Sequence, residues 1–63
     1  MKLSAKKIRE ILFERRMTQT ELADVAGLTR ETINAVCNDK SCSYMSAKRI
    51  ACALDVDLED IAR

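Results

Sequence analysis

Apolar residues recur at intervals of three and four along two long stretches of the chain, 4–16 and 44–54. This spacing places them on one face of an α-helix, with polar residues on the other face. The apolar stripe of the first stretch is formed by Ala5, Ile8, Ile11 and Leu12, and that of the second by Tyr44, Ala47, Ile50, Ala51 and Leu54. Ser43, directly before the second stretch, is a favourable helix cap. The pattern predicts two amphipathic helices of about three turns each.

A shorter helix is predicted over residues 18–26. Thr18 and Glu21 have the spacing of a capping box, in which each side chain accepts a hydrogen bond from the backbone amide of the other residue. Gly27, the single glycine of the chain, is well suited to the left-handed conformation that closes a helix. The apolar residues between these signals are Leu22, Ala23, Val25 and Ala26. Both ends of this helix are therefore marked in the sequence.

A further helix is predicted over residues 29–37. Thr29 follows Gly27 after a single residue and is a favourable helix cap. With a turn of about 100° per residue, one side of the helix carries the apolar residues Ile33, Val36 and Cys37. The opposite side carries Arg30, Glu31, Asn34, Ala35 and Asn38. The sequence therefore predicts two short helices joined by a tight turn, the second of which presents a polar face.

The end of the chain is predicted to form a short fifth helix over residues 58–62. Asp57 is a favourable cap, and Asp60 follows it three residues later. Leu58 and Ile61 are expected to turn inward, with Val56 packed in the connection to the fourth helix.

The fold class follows from these elements and from what the composition lacks. The chain has no proline and only two aromatic residues, so strands and hairpin turns have little to build on. A chain of 63 residues supports one small core. We predict an all-α fold, a compact bundle of five helices in which a single domain spans residues 1–63.

The net charge is only +1, but the charges are unevenly distributed along the chain. Up to the end of the first helix, the basic residues are Lys2, Lys6, Lys7, Arg9, Arg15 and Arg16, against the acidic residues Glu10 and Glu14. Near the other end, an acidic run without an intervening base consists of Asp55, Asp57, Glu59 and Asp60. This asymmetry suits a surface that binds nucleic acid, but a charge run is also typical of an ordinary solvated face.

Catalytic and metal chemistry have little support in the composition. The chain has no histidine to activate a cysteine or serine, and no glycine-rich loop to cradle a phosphate. Cys37, Cys42 and Cys52 are neither an even set nor spaced as metal ligands. We predict no enzymatic activity, no metal and no cofactor. Cys37 is expected to be a packed core thiol, and a redox role stays open for Cys42 and Cys52.

The sequence also bears on where the chain acts. No stretch is long and apolar enough to span a membrane, and residues 1–7 lack the apolar centre of a signal peptide. We therefore expect a cytoplasmic protein without a membrane partner.

The middle of the chain resembles the helix-turn-helix of the Cro and lambda-repressor family, the Xre-like regulators. The resemblance lies in Thr18-Gln19-Thr20-Glu21-Leu22-Ala23, followed by Gly27, Thr29 and Ile33. It continues through residues 53–61, which resemble the fourth and fifth helices of the family. The resemblance covers nearly the whole chain and implies a five-helix, lambda-repressor-like DNA-binding domain.

The chain departs from the family pattern at two places. Asp55 stands where the family often has a helix-closing glycine, and a left-handed aspartate is tolerable but somewhat strained. Leu12 and Cys37 stand where some members hold a buried pair of arginine and glutamate. Here this pair would be replaced by an apolar contact.

The resemblance implies a sequence-specific transcription regulator of bacterial or phage type, a repressor, with double-stranded DNA as its partner. The third predicted helix would enter the major groove, where base edges display a distinct pattern of donors and acceptors. By analogy with the family, the residues that read bases would be Arg30, Glu31, Asn34 and Ala35. The residues that contact phosphates would be Gln19, Thr20, Thr29, Asn38 and Lys40. The segment that family members use for self-contact contains Val56, Leu58 and Ile61, which implies a homodimer on an inverted-repeat operator.

A second class of function stays open at this point, because the same fold also serves as a protein-interaction module. Such a protein would be an antitoxin or a partner-binding regulator that contacts DNA weakly. The near-zero net charge favours this alternative, whereas the polar residues Arg30, Glu31 and Asn34 favour the reading of bases.

Overall fold

The computed structural model describes residues 1–63 and contains five α-helices and no β-sheet. The helices are α1 (Ala5–Glu14), α2 (Gln19–Ala26), α3 (Arg30–Cys37), α4 (Tyr44–Leu54) and α5 (Leu58–Ile61). An isolated antiparallel bridge between Leu3 and Ala62 joins the two ends of the chain. The predicted all-α fold with five helices is confirmed. None of the helices has the length and apolar character needed to cross a membrane.

The helices begin where the sequence places capping residues. The hydroxyl groups that accept a hydrogen bond from the backbone amide three residues further on are those of Ser4, Thr18, Thr29 and Ser43. In α2 the bond is reciprocal, because the Thr18 amide donates to Glu21 Oε1 and the Glu21 amide donates to Thr18 Oγ1, both at 3.1 Å. The capping residues lie just outside the helices, so α1, α2 and α3 begin one residue later than predicted.

Four helices end in the same way, with one residue in the left-handed conformation. These residues are Arg16 (φ 52°), Gly27 (φ 70°), Asp39 (φ 62°) and Asp55 (φ 57°). In each case the amide of the next residue donates to the carbonyl five residues back, which satisfies a carbonyl that the helix leaves free. The motif at Arg16 closes α1 at Glu14, two residues earlier than the apolar pattern predicts.

One apolar core holds the helices together, and no polar side chain is buried in it. It consists of the inner faces of α1 to α4 together with Leu3 and Ile61. Leu12 and Cys37 both belong to this core, as predicted. Burial of each large aliphatic side chain stabilises the fold by about 1.5–3 kcal/mol. The inner faces of α2 and α3 are thereby fixed, and their outer faces remain in solvent.

The position of Ile61 corrects one prediction. Its side chain is 0% exposed, and its carbonyl accepts a hydrogen bond from the Ser4 amide at 2.7 Å. Ile61 therefore has no surface left to offer to a second copy of the chain. It is also the last residue of α5, because Ala62 is drawn into the bridge with Leu3.

Candidate nucleic-acid interface

The turn between α2 and α3 is fixed at Gly27. A Cβ atom at this position would lie 3.1 Å from Nη1 of Arg49 in α4, and the φ of 70° is one that residues with a side chain rarely adopt. The Leu28 amide donates to the Ala23 carbonyl at 2.9 Å, and the Leu28 side chain packs against the core. Glycine is therefore the residue that suits this turn. The turn and the packed Leu28 side chain together fix the orientation of α3 relative to α2.

The outer face of α3 carries the residues predicted to read bases. Arg30, Glu31 and Asn34 are exposed and border one shallow concave surface, and Ala35 is half-buried. The side chains of Arg30 and Glu31 form no ion pair and no hydrogen bond within the chain. The structure thus brings the predicted reading residues together with their polar groups available to a ligand.

Asn34 is held by Asn38, one turn further along the chain. The Nδ2 atom of Asn38 donates to the backbone oxygen of Asn34 at 2.8 Å and to its Oδ1 atom at 3.3 Å. The bond to Oδ1 orients the Asn34 side chain, and the two bonds together use the donor group of Asn38. A phosphate contact by Asn38, as predicted from the sequence, would compete with them, because phosphate oxygens need a donor.

The other residues predicted to contact phosphates lie at the ends of helices. Gln19 is half-buried and Thr20 is exposed, and both belong to the first turn of α2. The Thr29 hydroxyl caps α3 and lies 3.2 Å from the amide and 2.9 Å from the hydroxyl of Thr32. Lys40 is exposed just beyond α3. The backbone amides at the start of both helices carry partial positive charge, which favours an anion beside Gln19 and Thr29.

Arg9 of α1 makes a contact with α3 that the sequence pattern does not predict. Its Nε and Nη2 atoms donate to the Cys37 carbonyl at 3.1 and 2.7 Å. The two residues are 28 positions apart, so no local pattern signals the contact. The only clue in the sequence is a basic residue beside the apolar stripe of the first helix. The contact ties the end of α3 to α1.

Two of the three thiols are shielded from ionisation. Burial raises the pKa of the Cys37 thiol above its ordinary value of 9.0, and the positive charge of Arg9 offsets part of this effect. Burial also raises the pKa of Cys42, offset in part by the N-terminal ammonium group. Cys52 is exposed. No cluster of three or more His, Cys, Asp or Glu residues is arranged to hold a metal ion.

Val56 and Leu58, two of the residues predicted to mediate self-association, are half-buried and pack against the core. Each borders a shallow concavity on the surface. The first is lined by Cys52, Asp55, Val56, Asp57 and Asp60, and the second by Met1, Asp57, Leu58, Glu59 and Ala62. The two concavities share Asp57, so the apolar atoms exposed here are surrounded by acidic groups.

The chain is similar to known proteins in both sequence and structure. The family model for helix-turn-helix proteins matches residues 6–61, which include all of α2 to α5. The crystal structure of the transcriptional regulator VanUg (form II) has a TM-score of 0.80 and 25% sequence identity, over 95% of this chain and 80% of that one. Curated protein sequences give no significant match. The chain therefore belongs to the helix-turn-helix family, of the Cro and Xre-like type that its sequence resembles.

Proposed function

We propose that this chain is a sequence-specific DNA-binding transcription regulator that reads the major groove of an operator with α3 and binds as a homodimer. The observation that carries the proposal is the outer face of α3, where Arg30, Glu31 and Asn34 are exposed around one concave surface. An α-helix fits the major groove, and side chains of these types read base edges there. Membership of the helix-turn-helix family and the similarity to a transcriptional regulator support this role.

Each side chain on this face suits a different base edge. The Arg30 guanidinium can donate two parallel hydrogen bonds to guanine, and the Glu31 carboxylate can accept one from the amino group of cytosine. The Asn34 amide can pair with adenine, and the Ala35 methyl group can contact the methyl group of thymine. The bond from Asn38 Nδ2 to Asn34 Oδ1 orients the Asn34 side chain before DNA binds, which lowers the entropy lost on binding.

The residues around this face would bind the DNA backbone. Lys40 offers an exposed cation just beyond α3, and Gln19, Thr20 and Thr29 stand beside the free amides that begin α2 and α3. Such contacts fix the orientation of a protein on the duplex but carry no direct sequence information. Base contacts and phosphate contacts are therefore assigned to different residues.

A homodimer is part of the proposal, because a single α3 buries too little surface for the affinity that specific regulators usually reach. The exposed parts of Val56 and Leu58 would form the contact between the two copies. Asp57 and Glu59 border it, so like charges oppose association in solution, and we expect the dimer to form mainly on DNA. A dimer seated on a promoter excludes the polymerase, and repression is the outcome we propose.

The proposal is tested by comparing a residue proposed to contact bases with one proposed to contact phosphates. Arg30→Ala should cost about 1–3 kcal/mol of binding free energy on the preferred duplex and abolish the preference at one base position. Lys40→Ala should weaken binding to all duplexes alike and reduce the slope of log affinity against log salt by about one. Lys7→Ala, which removes an exposed charge from α1, is the control and should retain the full preference. Binding is measured on preferred and scrambled duplexes at several salt concentrations.

The same binding measurement, made on Arg30→Ala, Glu31→Ala and Asn34→Ala, addresses the alternative of a protein-interaction module such as an antitoxin, which the exposed apolar residues of the chain favour. Phe13, Tyr44 and Met45 are 84%, 61% and 63% exposed, so three large apolar side chains are accessible to a partner protein. If alanine at each of the three polar reading positions left the sequence preference of a helical protein unchanged, α3 would not be the reader. Protein interaction would then become the leading function.

A further inference from the structure

The last turn of α3 leaves four backbone carbonyls without a partner inside the helix, and each of them finds one. The carbonyls of residues 34–36 accept hydrogen bonds from donor groups of residues 38–40. The Cys37 carbonyl accepts from Nε and Nη2 of Arg9, at 3.1 and 2.7 Å. Arg9 is therefore the one partner of this turn that comes from another helix.

The contact from Arg9 is directional and charged. Two donor nitrogens converge on one oxygen at the negative end of the α3 dipole, where a cation is favoured. The bond is partly buried, so water competes less strongly for the carbonyl. Leu12 and Cys37 share the apolar core, where the attraction between apolar groups has no preferred direction. Arg9 adds the directional restraint that apolar packing lacks.

We infer that Arg9 is a positioning residue for DNA recognition, which fixes the C-terminal turn of α3 to α1 and so sets the angle at which the reading side chains meet the bases. The inference rests on the proposed function. Asn34 lies in this turn, Asn38 caps it, and Lys40 lies two residues beyond the cap. Base contacts require accurate placement, whereas phosphate contacts form on any sequence. Loss of the Arg9 contact should therefore lower specificity more than it lowers overall affinity.

The test compares Arg9→Met with Lys6→Met, which removes an exposed charge from the same helix without touching α3. Methionine keeps most of the apolar stem of arginine. Two quantities are measured on the full chain: hydrogen exchange of the backbone amides of residues 38–40 without DNA, and the ratio of affinities for preferred and scrambled duplexes.

We expect Arg9→Met to speed the exchange and to lower the affinity ratio, each by about tenfold, because both charge-assisted hydrogen bonds to the Cys37 carbonyl are lost. The salt dependence of binding should stay the same, because no phosphate contact is lost. Lys6→Met should change neither the exchange nor the ratio. Arg9→Lys, which brings one donor nitrogen toward the carbonyl in place of two, should give intermediate values.

Two results would overturn the inference. If Arg9→Met weakened binding to both duplexes equally and reduced the salt slope by about one, Arg9 would be a phosphate contact. If exchange at residues 38–40 were the same in Arg9→Met and Lys6→Met, the guanidinium would not hold α3. Should Arg9→Met fail to fold, Arg9→Lys decides by the same two measurements. An unmodified chain without sequence preference would overturn the proposed function, and the exchange measurement would still decide the role of Arg9, because it needs no DNA.

Discussion

The three cysteines differ in how far solvent reaches them, and this difference governs their chemistry. Cys37 is buried in the core, Cys42 is half-buried and Cys52 is exposed on α4. The backbone of Cys42 is also tied to Met1, whose ammonium group donates to the Cys42 carbonyl at 2.9 Å. Because the thiolate is the reactive form, the raised pKa of Cys37 and of Cys42 adds to their physical shielding.

We predict that a disulfide reagent at about pH 8 modifies the thiols in the order Cys52, Cys42, Cys37, and that Cys37 reacts only when the chain opens. Cys52→Ser should lack the fastest phase, and Cys42→Ser the next, which assigns each phase to its residue. Modification of Cys37 in the folded chain as fast as that of Cys52 would contradict the burial described here. Cys42→Ser should bind DNA as the unmodified chain does; a change of about tenfold in affinity would instead indicate a thiol switch.

At the scale of the helices, the residue types near each helix predict where it begins, but they predict only in part where it ends. Ser, Thr and a capping box are visible in the sequence, and so is Gly27 at the end of α2. The left-handed residues that close α1 and α3 are Arg16 and Asp39; arginine does not signal that conformation, and aspartate adopts it only occasionally. Each costs roughly 1–2 kcal/mol as a left-handed residue, and the packing of the helices against the core offsets this strain. This is why the apolar pattern places the end of α1 two residues too late.

The residues of the candidate site also differ in whether the sequence could predict their arrangement. The outward direction of Arg30, Glu31 and Asn34 could be predicted, because helical periodicity fixes it once the apolar face is known. The bonds from Arg9 to the Cys37 carbonyl could not, since they depend on how two helices approach each other. The sequence predicts that Ile61 turns inward, whereas the family resemblance places it in the segment for self-association. Its burial in the core supports the first of these predictions and not the second.

Replacement of Asp55 by glycine should stabilise the chain. Asp55 closes α4 with φ 57° and ψ 44°, and its carboxylate lies at the negative end of the helix dipole. Asp55→Gly removes both the left-handed strain and the unfavourable charge, so the free energy of unfolding should rise by about 1 kcal/mol. Asp55→Asn removes the charge alone and should give roughly half of that gain. Urea titration measures both, and an Asp55→Gly chain no more stable than the unmodified one would show that the strain is absent.

At the scale of the whole molecule, one segment near each end of the chain carries a charge of opposite sign. Residues 2–16 are predominantly basic, whereas residues 55–60 contain four acidic groups and no base. In the proposed dimer the acidic segments of the two copies lie close together and repel each other. Added salt should screen this repulsion, but it should also weaken binding to DNA. A duplex that holds two copies side by side would overcome the repulsion. Operator binding and dimer formation are therefore expected to be coupled.

Selection of bound duplexes from a random pool with the unmodified chain tests both whether α3 reads sequence and whether two copies of the chain bind together. The proposed function predicts enrichment of an inverted repeat whose half-sites are centred about one helical turn apart, roughly 34 Å. Enrichment of one unpaired half-site would contradict the homodimer. A folded chain that binds DNA and leaves the pool random after repeated rounds would contradict sequence reading itself.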